Sequence, residues 1–245
     1  MTSLAGRHIW IIGASSGIGH ALAMQLAAEG AHLTLSARNA PALEQLNVDL
    51  GNKHIVLPLN ITDAAALIDA ADQQTHIESL IILAGQYEPG AIADITDAAA
   101  RHIIETNFIG TLNAVRAVLP VFRRQRQGQI ALCASIAGYR GLPNGQPYSA
   151  TKAAIINFAE SLRVEEEKNG IDVRLINPGF VKTPMTDKNK FPMPMMITPE
   201  QAAKAIVAGL KGNSFEISFP KRMILPMKIL QILPYWLYFK IAKRL

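Results

Sequence analysis

The chain has 245 residues, 49% of them hydrophobic, which suits one folded α/β domain and excludes a disordered chain. The single cysteine, Cys133, excludes an internal disulfide and a cysteine-cluster metal site. The opening segment is too short and too polar for a signal peptide, and with the lone cysteine it favours a location in the cytoplasm. The formal net charge of +5 is concentrated in residues 219–245, which hold six basic residues and no acidic one, so no nucleic-acid partner is expected.

Short apolar runs alternate with longer helical patterns along the chain. The apolar runs predict strands at residues 8–12, 32–36, 54–57, 80–83, 129–134, 172–176 and 215–219. The helical patterns predict helices at residues 17–29, 42–50, 64–73, 97–124, 147–168 and 199–210, the last of them opened by a capping box at Thr198 and Gln201. This alternation predicts one α/β domain over residues 1–219, with a doubly wound parallel sheet of about seven strands covered by helices on both faces. Residues 220–245 are expected to form a basic, apolar, helical tail that is an appendage of this domain.

A glycine-rich turn, Gly-Ala-Ser-Ser-Gly-Ile-Gly at residues 13–19, follows the first predicted strand and opens the first helix. A turn without Cβ atoms lets backbone N–H groups approach a pyrophosphate, and the helix N-terminus adds a favourable partial charge. The spacing G-x-x-x-G-x-G differs from the G-x-G-x-x-G of the other dinucleotide-binding turn. The alternative is a tight connection that binds no ligand. The residues expected to bind a dinucleotide here are Gly13, Ser15, Ser16, Gly17, Ile18 and Gly19.

The second predicted strand ends at Ser36 and is followed by Ala37 and Arg38, without an acidic residue. A site selective for NAD would place an acid here to accept hydrogen bonds from the adenosine ribose. A guanidinium pairs with a 2′-phosphate, which an acid would repel. We therefore predict that NADP(H) is favoured over NAD(H), with Arg38 on the phosphate and Ser36 as a further hydroxyl contact. The alternative is that Arg38 is a solvated loop charge.

Three polar residues carry the predicted chemistry. Ser135 ends a predicted strand, and Tyr148 and Lys152 follow near the start of a helix. Their four-residue spacing places Tyr148 and Lys152 on one helical face, where the ammonium favours the phenolate, so we expect a lowered pKa for Tyr148 and a role as general acid/base. Ser135 would polarise the substrate oxygen and hold it against the tyrosine. A tyrosine and a lysine that merely share an exposed face are the alternative.

The glycine turn, Ser135, Tyr148-x-x-x-Lys152 and the downstream Asn177-Pro178-Gly179 resemble, in order and spacing, the short-chain dehydrogenase/reductase family. The resemblance covers roughly residues 6–219 and implies a Rossmann-type sheet with the strand order 3-2-1-4-5-6-7. It also implies NADP-dependent hydride transfer between a carbonyl and an alcohol, without a metal. The main chain of Asn107 is implied to hold a water linked to Lys152, as a fourth catalytic residue. Further implied cofactor contacts are Asn60, Ile61, Ala84, Gly85, Tyr148, Lys152, Pro178, Gly179, Val181 and Thr183.

The chain departs from the family pattern at several places. Ile12 precedes the glycine turn where the family has a threonine, and Asn60 stands in place of an aspartate. Ile82 and Leu83 replace two asparagines before Ala84-Gly85. The first change removes a side-chain hydrogen bond from the turn, and the last weakens local bracing of the strand, but both leave the backbone contacts to the cofactor.

Two segments near the end of the chain concern the substrate and the partners. Residues 184–198 are rich in proline and methionine, and by resemblance they cover the substrate; methionines favour an apolar one, although a mobile loop is an equal alternative. Residues 223–239 are densely apolar, but two prolines, a lysine and the short length argue against a membrane-spanning helix. Aromatic and flanking basic residues suit an interfacial segment, so residues 221–245 are a candidate for contact with a membrane surface. The alternative is packing on a sister subunit in a homodimer or homotetramer.

Two competing functions follow from the same features. The first is a carbonyl reductase or alcohol dehydrogenase that uses NADP(H). The second is a non-catalytic protein that senses a dinucleotide or interacts with a membrane surface. The intact set of Ser135, Tyr148 and Lys152 favours the enzyme, and the sequence does not name its substrate.

Overall fold

The computed structural model of the protein describes residues 3–74 and 76–243. The predicted tail residues Arg244 and Leu245 lie outside the described residues, as do Met1, Thr2 and Thr75. Seven parallel strands form one sheet in the order β3-β2-β1-β4-β5-β6-β7, as expected from the resemblance. The strands are β1 (His8–Ile12), β2 (His32–Ser36), β3 (Ile55–Val56), β4 (Ser79–Ile82), β5 (Gly128–Cys133), β6 (Ile171–Pro178) and β7 (Glu216–Phe219).

Helices cover both faces of the sheet, as the alternating pattern predicts. The helices are α1 (Gly17–Ala28), α2 (Ala40–Asp49), α3 (Ala64–Gln73), α4 (Asp97–Ile104), α5 (Gly110–Gln125), α6 (Tyr148–Glu166), α7 (Pro199–Lys211), α8 (Lys221–Ile232) and α9 (Tyr235–Ala242). Apolar residues of α1, α2 and α7 pack on one face of the sheet. Those of α3, α5 and α6 pack on the other, so the apolar central strands are buried on both sides.

Short polar side chains fix where several helices begin. Asn39 accepts a hydrogen bond from the N–H of Ala42, so α2 starts at Ala40, two residues before the predicted start. The predicted capping box of α7 is confirmed: the Gln201 N–H donates to the Thr198 hydroxyl, and the Gln201 side chain accepts from the Thr198 N–H.

The predicted helix over residues 97–124 is wrong as a single element. It is α4 and α5 joined by a π-helical segment, Glu105–Ile109. Asn107 is fully buried at the centre of this segment, and its side chain bonds the backbone of Gln86 and the hydroxyl of Thr151. These tertiary hydrogen bonds accompany the local widening of the helix.

The C-terminal tail folds as two short helices, α8 and α9, separated at Leu233 and Pro234. The side chain of Ile224 in α8 packs against Ile136 and Tyr139, in the segment that follows β5. No helix within residues 3–74 and 76–243 combines the length and apolar character needed to cross a membrane.

Candidate active site

A cleft of about 630 Å³ opens at the carboxyl ends of the strands, where the sheet order reverses between β1 and β4. In open α/β sheets this switch point is the usual place for a ligand. The cleft brings together nearly all the residues singled out from the sequence. Its lining includes Gly13, Ser15, Ser16, Gly17, Ile18, Gly19, Arg38, Asn60, Ile61, Ala84, Gly85, Ser135, Tyr148, Lys152, Pro178, Gly179, Val181 and Thr183.

The glycine turn between β1 and α1 packs too tightly for side chains. Gly13 has a φ of +101°, and a Cβ there would lie 2.5 Å from the backbone nitrogen of Ala84. A Cβ on Gly19 would overlap the carbonyl oxygen of Gly13. The Gly13 N–H donates to the carbonyl of Ser36 over 2.7 Å, which anchors the turn to β2. The turn therefore exposes backbone to the cleft in a shape that only glycine permits at these positions.

The N-terminus of α1 opens into the cleft. Ser16 precedes the helix in an extended conformation; within the described part of the chain its side chain caps none of the first N–H groups. The first turn of α1 contains no acidic residue. Unpaired N–H groups and the positive end of the helix dipole favour an anion such as a pyrophosphate.

Beyond the end of β2, Arg38 is exposed at the cleft edge beside Ala37 and Asn39. The expected contact from Ser36 is wrong. Its side chain is completely buried, and its hydroxyl oxygen accepts a hydrogen bond of 2.9 Å from the Trp10 indole. Because successive side chains of a strand alternate between faces, Ser36 points into the packed layer on the Trp10 side of the sheet.

After β3, Asn60 and Ile61 form the part of the cleft wall where the adenine is expected. Asn60 is exposed, and its side-chain oxygen accepts a hydrogen bond of 3.2 Å from the Thr62 N–H. Ile61 is buried and lies so close to Gly110 that a Cβ on that glycine would be 2.8 Å from it. The wall thus has an apolar base and a polar rim.

The three predicted catalytic side chains meet at the carboxyl ends of β5 and β6. Tyr148 is the first residue of α6, and the Ser135 hydroxyl lies beside it, where a hydrogen bond favours the Tyr148 phenolate. The Ser135 oxygen also accepts from the Ala137 N–H over 3.1 Å, which fixes its position. One turn later in α6, the buried Lys152 ammonium lies 5.5 Å from the centre of the Tyr148 ring and donates to the Cys133 carbonyl over 2.8 Å.

The electrostatics of Tyr148 differ from the expectation. Burial raises its pKa well above the ordinary value, and the hydrogen bond from Ser135 only partly opposes this shift. Burial also lowers the pKa of Lys152, with an opposing effect from Cys133. In the protein alone, desolvation of the phenolate therefore sets the direction of the Tyr148 pKa. The expected lowering by Lys152 together with an oxidised nicotinamide stays a prediction for the cofactor complex.

Asn107 lies behind the cleft wall. Its side-chain oxygen accepts from the Gln86 N–H over 2.6 Å, and its amide donates to the Gln86 carbonyl over 3.0 Å and to the Thr151 hydroxyl over 3.1 Å. Its own carbonyl oxygen accepts from the Thr111 hydroxyl over 2.7 Å. The side chain thus ties the segment after β4 to α6. The water contact implied for its main chain stays a prediction.

The segment after β6 folds around Thr186, which the sequence analysis did not single out. The Thr186 hydroxyl donates to the Val181 carbonyl over 2.7 Å and accepts from the Thr183 N–H over 3.0 Å. A Cβ on Gly17 would lie 3.0 Å from the Thr183 methyl carbon, so Thr183 borders the glycine turn. This turn places Val181 and Thr183 on the same side of the cleft.

The proline- and methionine-rich segment closes only part of the cleft. Pro184 and Met185 line it, whereas Met195 and Met196 are exposed to solvent. Of these side chains, Pro184 and Met185 are therefore the two that can contact a substrate directly.

Tyr87 is a site residue that the sequence analysis missed. Its ring meets the Tyr148 ring edge-on, with 4.9 Å between ring centres, and its hydroxyl donates to Asn189 over 2.8 Å. The Lys188 ammonium donates to the Tyr87 carbonyl over 3.2 Å. Tyr87 thus joins the segment after β4 to the segment after β6, across the mouth of the site. Its position two residues after Gly85, past the carboxyl end of a central strand, was the available signal.

Within the residues that the structure describes, no cluster of three or more His, Cys, Asp or Glu could hold a metal ion. The polar groups that converge on Tyr148 are hydroxyls, an ammonium and backbone carbonyls. This set suits proton transfer to an oxygen atom.

Comparison with known proteins identifies related sequences and folds. The sequence profile of the family described as short chain dehydrogenase matches residues 7–192. An uncharacterized oxidoreductase from Myxococcus xanthus (strain DK1622) is 32% identical over 252 residues, covering 100% of both chains. The crystal structure of a short chain dehydrogenase from Burkholderia cenocepacia J2315 in complex with NADP has a TM-score of 0.87 and 26% identity, covering 98% of both chains. A short chain dehydrogenase/reductase from Burkholderia phymatum in complex with NAD has a TM-score of 0.86 and 20% identity, covering 93% of this chain and 94% of that one.

Proposed function

Because the chain belongs to the short-chain dehydrogenase/reductase family and is an NAD(P)-dependent oxidoreductase, we propose that it interconverts a carbonyl and an alcohol, using NADP(H) in preference to NAD(H). The observation that carries this proposal is that Ser135 and Tyr148 line one cleft, with the buried Lys152 ammonium 5.5 Å from the centre of the Tyr148 ring. A non-catalytic dinucleotide-binding role is not favoured, because it would leave this hydroxyl pair without a use.

The residues of the cleft fit a dinucleotide. A Cβ on Gly13 or Gly19 would clash with neighbouring backbone atoms, so these glycines keep both positions of the turn free of side chains. The N-terminus of α1, which has no side-chain cap among the described residues, can accept an anion. When bound, the nicotinamide supplies or accepts the hydride. The proposed contacts run from the pyrophosphate turn through the adenosine side to the nicotinamide side: Gly13, Ser15, Ser16, Gly17, Ile18, Gly19, Arg38, Asn60, Ile61, Ala84, Gly85, Tyr148, Lys152, Pro178, Gly179, Val181 and Thr183.

In the proposed reduction, the hydroxyls of Ser135 and Tyr148 donate hydrogen bonds to the carbonyl oxygen and polarise it. As hydride arrives at the carbonyl carbon, the Tyr148 proton moves to the oxygen and completes the alcohol. Lys152 supplies positive charge near the phenolate that remains. Asn107 is proposed to assist reprotonation through its main chain while its side chain positions Gln86 beside the site.

The proton chemistry predicts opposite pH trends for the two directions of the reaction. Reduction consumes the proton of Tyr148, so its rate should fall as pH rises, whereas oxidation needs the phenolate, and its rate should rise. Burial raises the pKa of Tyr148, which moves the increase in oxidation to alkaline pH. Profiles of kcat/KM for one alcohol–carbonyl pair in both directions will test this. An oxidation rate that levels off below about pH 7 would contradict the prediction, because an ordinary tyrosine already titrates near 10.

The preference for NADP(H) is supported by Arg38 at the edge of the cleft and by the absence of an acidic residue between Ser36 and Arg38 in the sequence. The structurally similar Burkholderia cenocepacia protein was solved with NADP. The more distant Burkholderia phymatum protein was solved with NAD, so the fold itself accommodates either dinucleotide. The side chain after β2, rather than the fold, therefore decides the proposed preference.

Replacing Arg38 tests this preference. In the variant Arg38→Glu, the new carboxylate should repel the 2′-phosphate, and the ratio of kcat/KM for NADPH over NADH should fall at least about tenfold. The matched control is Arg124→Glu, which makes the same charge change at an exposed site on α5. Steady-state kinetics with both cofactors provide the measurement. A ratio that is the same in the parent and in Arg38→Glu would show that Arg38 does not read the phosphate.

The proposed substrate is small and apolar, because Met185 and Leu83 line the cleft. We propose that residues 1–219 form the catalytic domain and that residues 220–245 are an appendage of it. The enzyme is proposed to act in the cytoplasm, in keeping with its lone cysteine, as a homodimer or homotetramer.

One screen tests the proposed function as a whole. Purified protein is mixed with NADPH and a panel of ketones, aldehydes, sterols and 3-oxoacyl thioesters, and NADPH oxidation is followed by absorbance. We expect turnover with at least one apolar carbonyl compound. NADPH binding without turnover across the panel, and without a reverse reaction on the matching alcohols, would favour the non-catalytic alternative.

A further inference from the structure

The two C-terminal helices, α8 and α9, pack one side against the rest of the protein and expose a second, apolar side to solvent. The buried side of α8 and α9 packs through Leu230, Tyr238 and Ala242. In α8, Leu225, Ile229 and Ile232 follow i, i+4, i+7 spacing and therefore form one outward stripe. Ile232 is 80% exposed and Trp236 is 71% exposed. The exposed large apolar side chains of the two helices are Leu225, Ile229, Ile232, Tyr235, Trp236, Phe239 and Ile241.

Basic side chains accompany this apolar stripe. Arg222 lies three residues before Leu225, and Lys240 lies four residues after Trp236, so each shares a helical face with an exposed apolar residue. Lys221 and Lys243 are also exposed. The sequence contains no acidic residue after Glu216. We call these four cations and the seven exposed apolar residues together the tail surface.

The tail surface is fixed to the segment that carries Ser135. The Arg140 guanidinium donates to the carbonyls of Gln231 over 2.7 Å and of Leu233 over 3.3 Å. It also stacks over the rings of Tyr235 and Tyr238, 4.6 and 4.4 Å from their centres. The Tyr238 hydroxyl donates to the carbonyl of Gly141. An occupant of the tail surface would therefore hold the catalytic cleft in one orientation.

The charge of the tail surface favours a lipid headgroup region over a second copy of the chain. A two-fold contact between identical tails would place cations near cations, with no acidic residue of the tail to pair with them. Exposed aromatic rings beside lysine and arginine are the arrangement found at the boundary of a bilayer. Long basic side chains can bury their stems and keep the charge at the phosphate level.

We propose that the tail surface binds a membrane containing anionic lipids, with α8 and α9 lying in the headgroup region and the cleft held beside it. The inference goes beyond the proposed reaction, and it does not depend on turnover. An apolar substrate dissolved in the bilayer would then be close to the cleft.

Flotation of the full chain with vesicles tests the proposal. Vesicles of phosphatidylcholine with phosphatidylglycerol should carry the protein upward, and vesicles of phosphatidylcholine alone should carry at least about tenfold less. In the variant Ile229→Ser/Ile232→Ser/Trp236→Ser, partitioning onto the anionic vesicles should fall at least about tenfold. The matched control Val48→Ser/Ile68→Ser removes exposed apolar side chains from α2 and α3, and it should float like the parent.

A second variant tests the charges separately. Arg222→Gln/Lys240→Gln/Lys243→Gln should lose at least about tenfold in partitioning at low salt, and raising the salt should reduce binding of the parent in the same way. The control Lys53→Gln/Arg124→Gln/Lys204→Gln removes three exposed cations from other parts of the surface and should bind as the parent does. NADPH binding and the melting temperature, measured for every variant, show that each one is folded.

Two results would overturn the proposal. One is a parent protein that stays at the bottom of the gradient with anionic vesicles. The other is a set of tail variants that float as well as the parent. If the parent does not float and its oligomer dissociates in the Ile229→Ser/Ile232→Ser/Trp236→Ser variant, as sedimentation velocity would show, the tail surface belongs to a contact with a sister subunit. Neither readout involves catalysis, so failure here is distinct from failure of the proposed reaction.

Discussion

In the variant Tyr148→Phe, kcat should fall by a factor of about 10² to 10⁴ in either direction of the reaction. The change removes one oxygen atom, which is the atom proposed to donate the proton and lies beside the Ser135 hydroxyl in the cleft. The phenyl ring keeps its edge contact with Tyr87 and its place beside Lys152, so the fold and the cleft should persist. Single-turnover and steady-state rates on any substrate found in the screen provide the measurement.

The matched control is Tyr87→Phe. It also removes one phenolic oxygen from the mouth of the cleft, but that oxygen donates to Asn189 and lies outside the proposed proton transfer. Its kcat should change by no more than about tenfold, well below the effect of losing a general acid. NADPH affinity, followed by fluorescence, should be nearly equal in the parent and both variants. If Tyr148→Phe turns over as fast as the parent, the assignment of the proton donor is wrong.

The parts of the site that could be predicted from sequence are those fixed by local geometry. The positions of Tyr148 and Lys152 follow from one turn of one helix, and the glycine turn follows from a strand that leads directly into a helix. Ser135 and Val181 come after strands whose carboxyl ends share one edge of a parallel sheet. These positions depend only on the order of the strands and helices, so they can be predicted from sequence without knowledge of tertiary contacts.

The missed features depend on contacts between distant residues. Tyr87 meets Asn189, 102 positions away, and the interruption of the predicted helix at Asn107 involves a bond to Thr151, 44 positions away. The burial of Ser36 against Trp10 requires the register of β1 and β2, although strand alternation could have shown which face Ser36 occupies. The direction of the Tyr148 pKa depends on desolvation by the whole surrounding site, which pairwise spacing does not reveal.

The second large effect is expected for Gly19→Ala. The added Cβ would overlap the carbonyl oxygen of Gly13, so either the glycine turn or the start of α1 must move. Backbone atoms cannot rotate away as a flexible side chain can. Overpacking of this kind should lower the free energy of unfolding by about 1–3 kcal/mol. The larger consequence concerns the cofactor, because a turn displaced by about 1 Å no longer presents its N–H groups to the pyrophosphate, and we expect the Kd for NADPH to rise about 100-fold.

The control for Gly19→Ala is Gly212→Ala, which adds the same methyl group after α7. A Cβ there would lie 3.5 Å from its nearest neighbour, the carbonyl oxygen of Gly209, which is an ordinary contact distance. Its NADPH affinity and melting temperature should stay close to those of the parent, since the position is outside the cleft lining. Titration of NADPH by calorimetry and urea unfolding measure the two effects separately. An unchanged Kd in a folded Gly19→Ala variant would mean that the close packing of this turn is not what positions the dinucleotide, and the proposed pyrophosphate site would have to be placed elsewhere in the cleft.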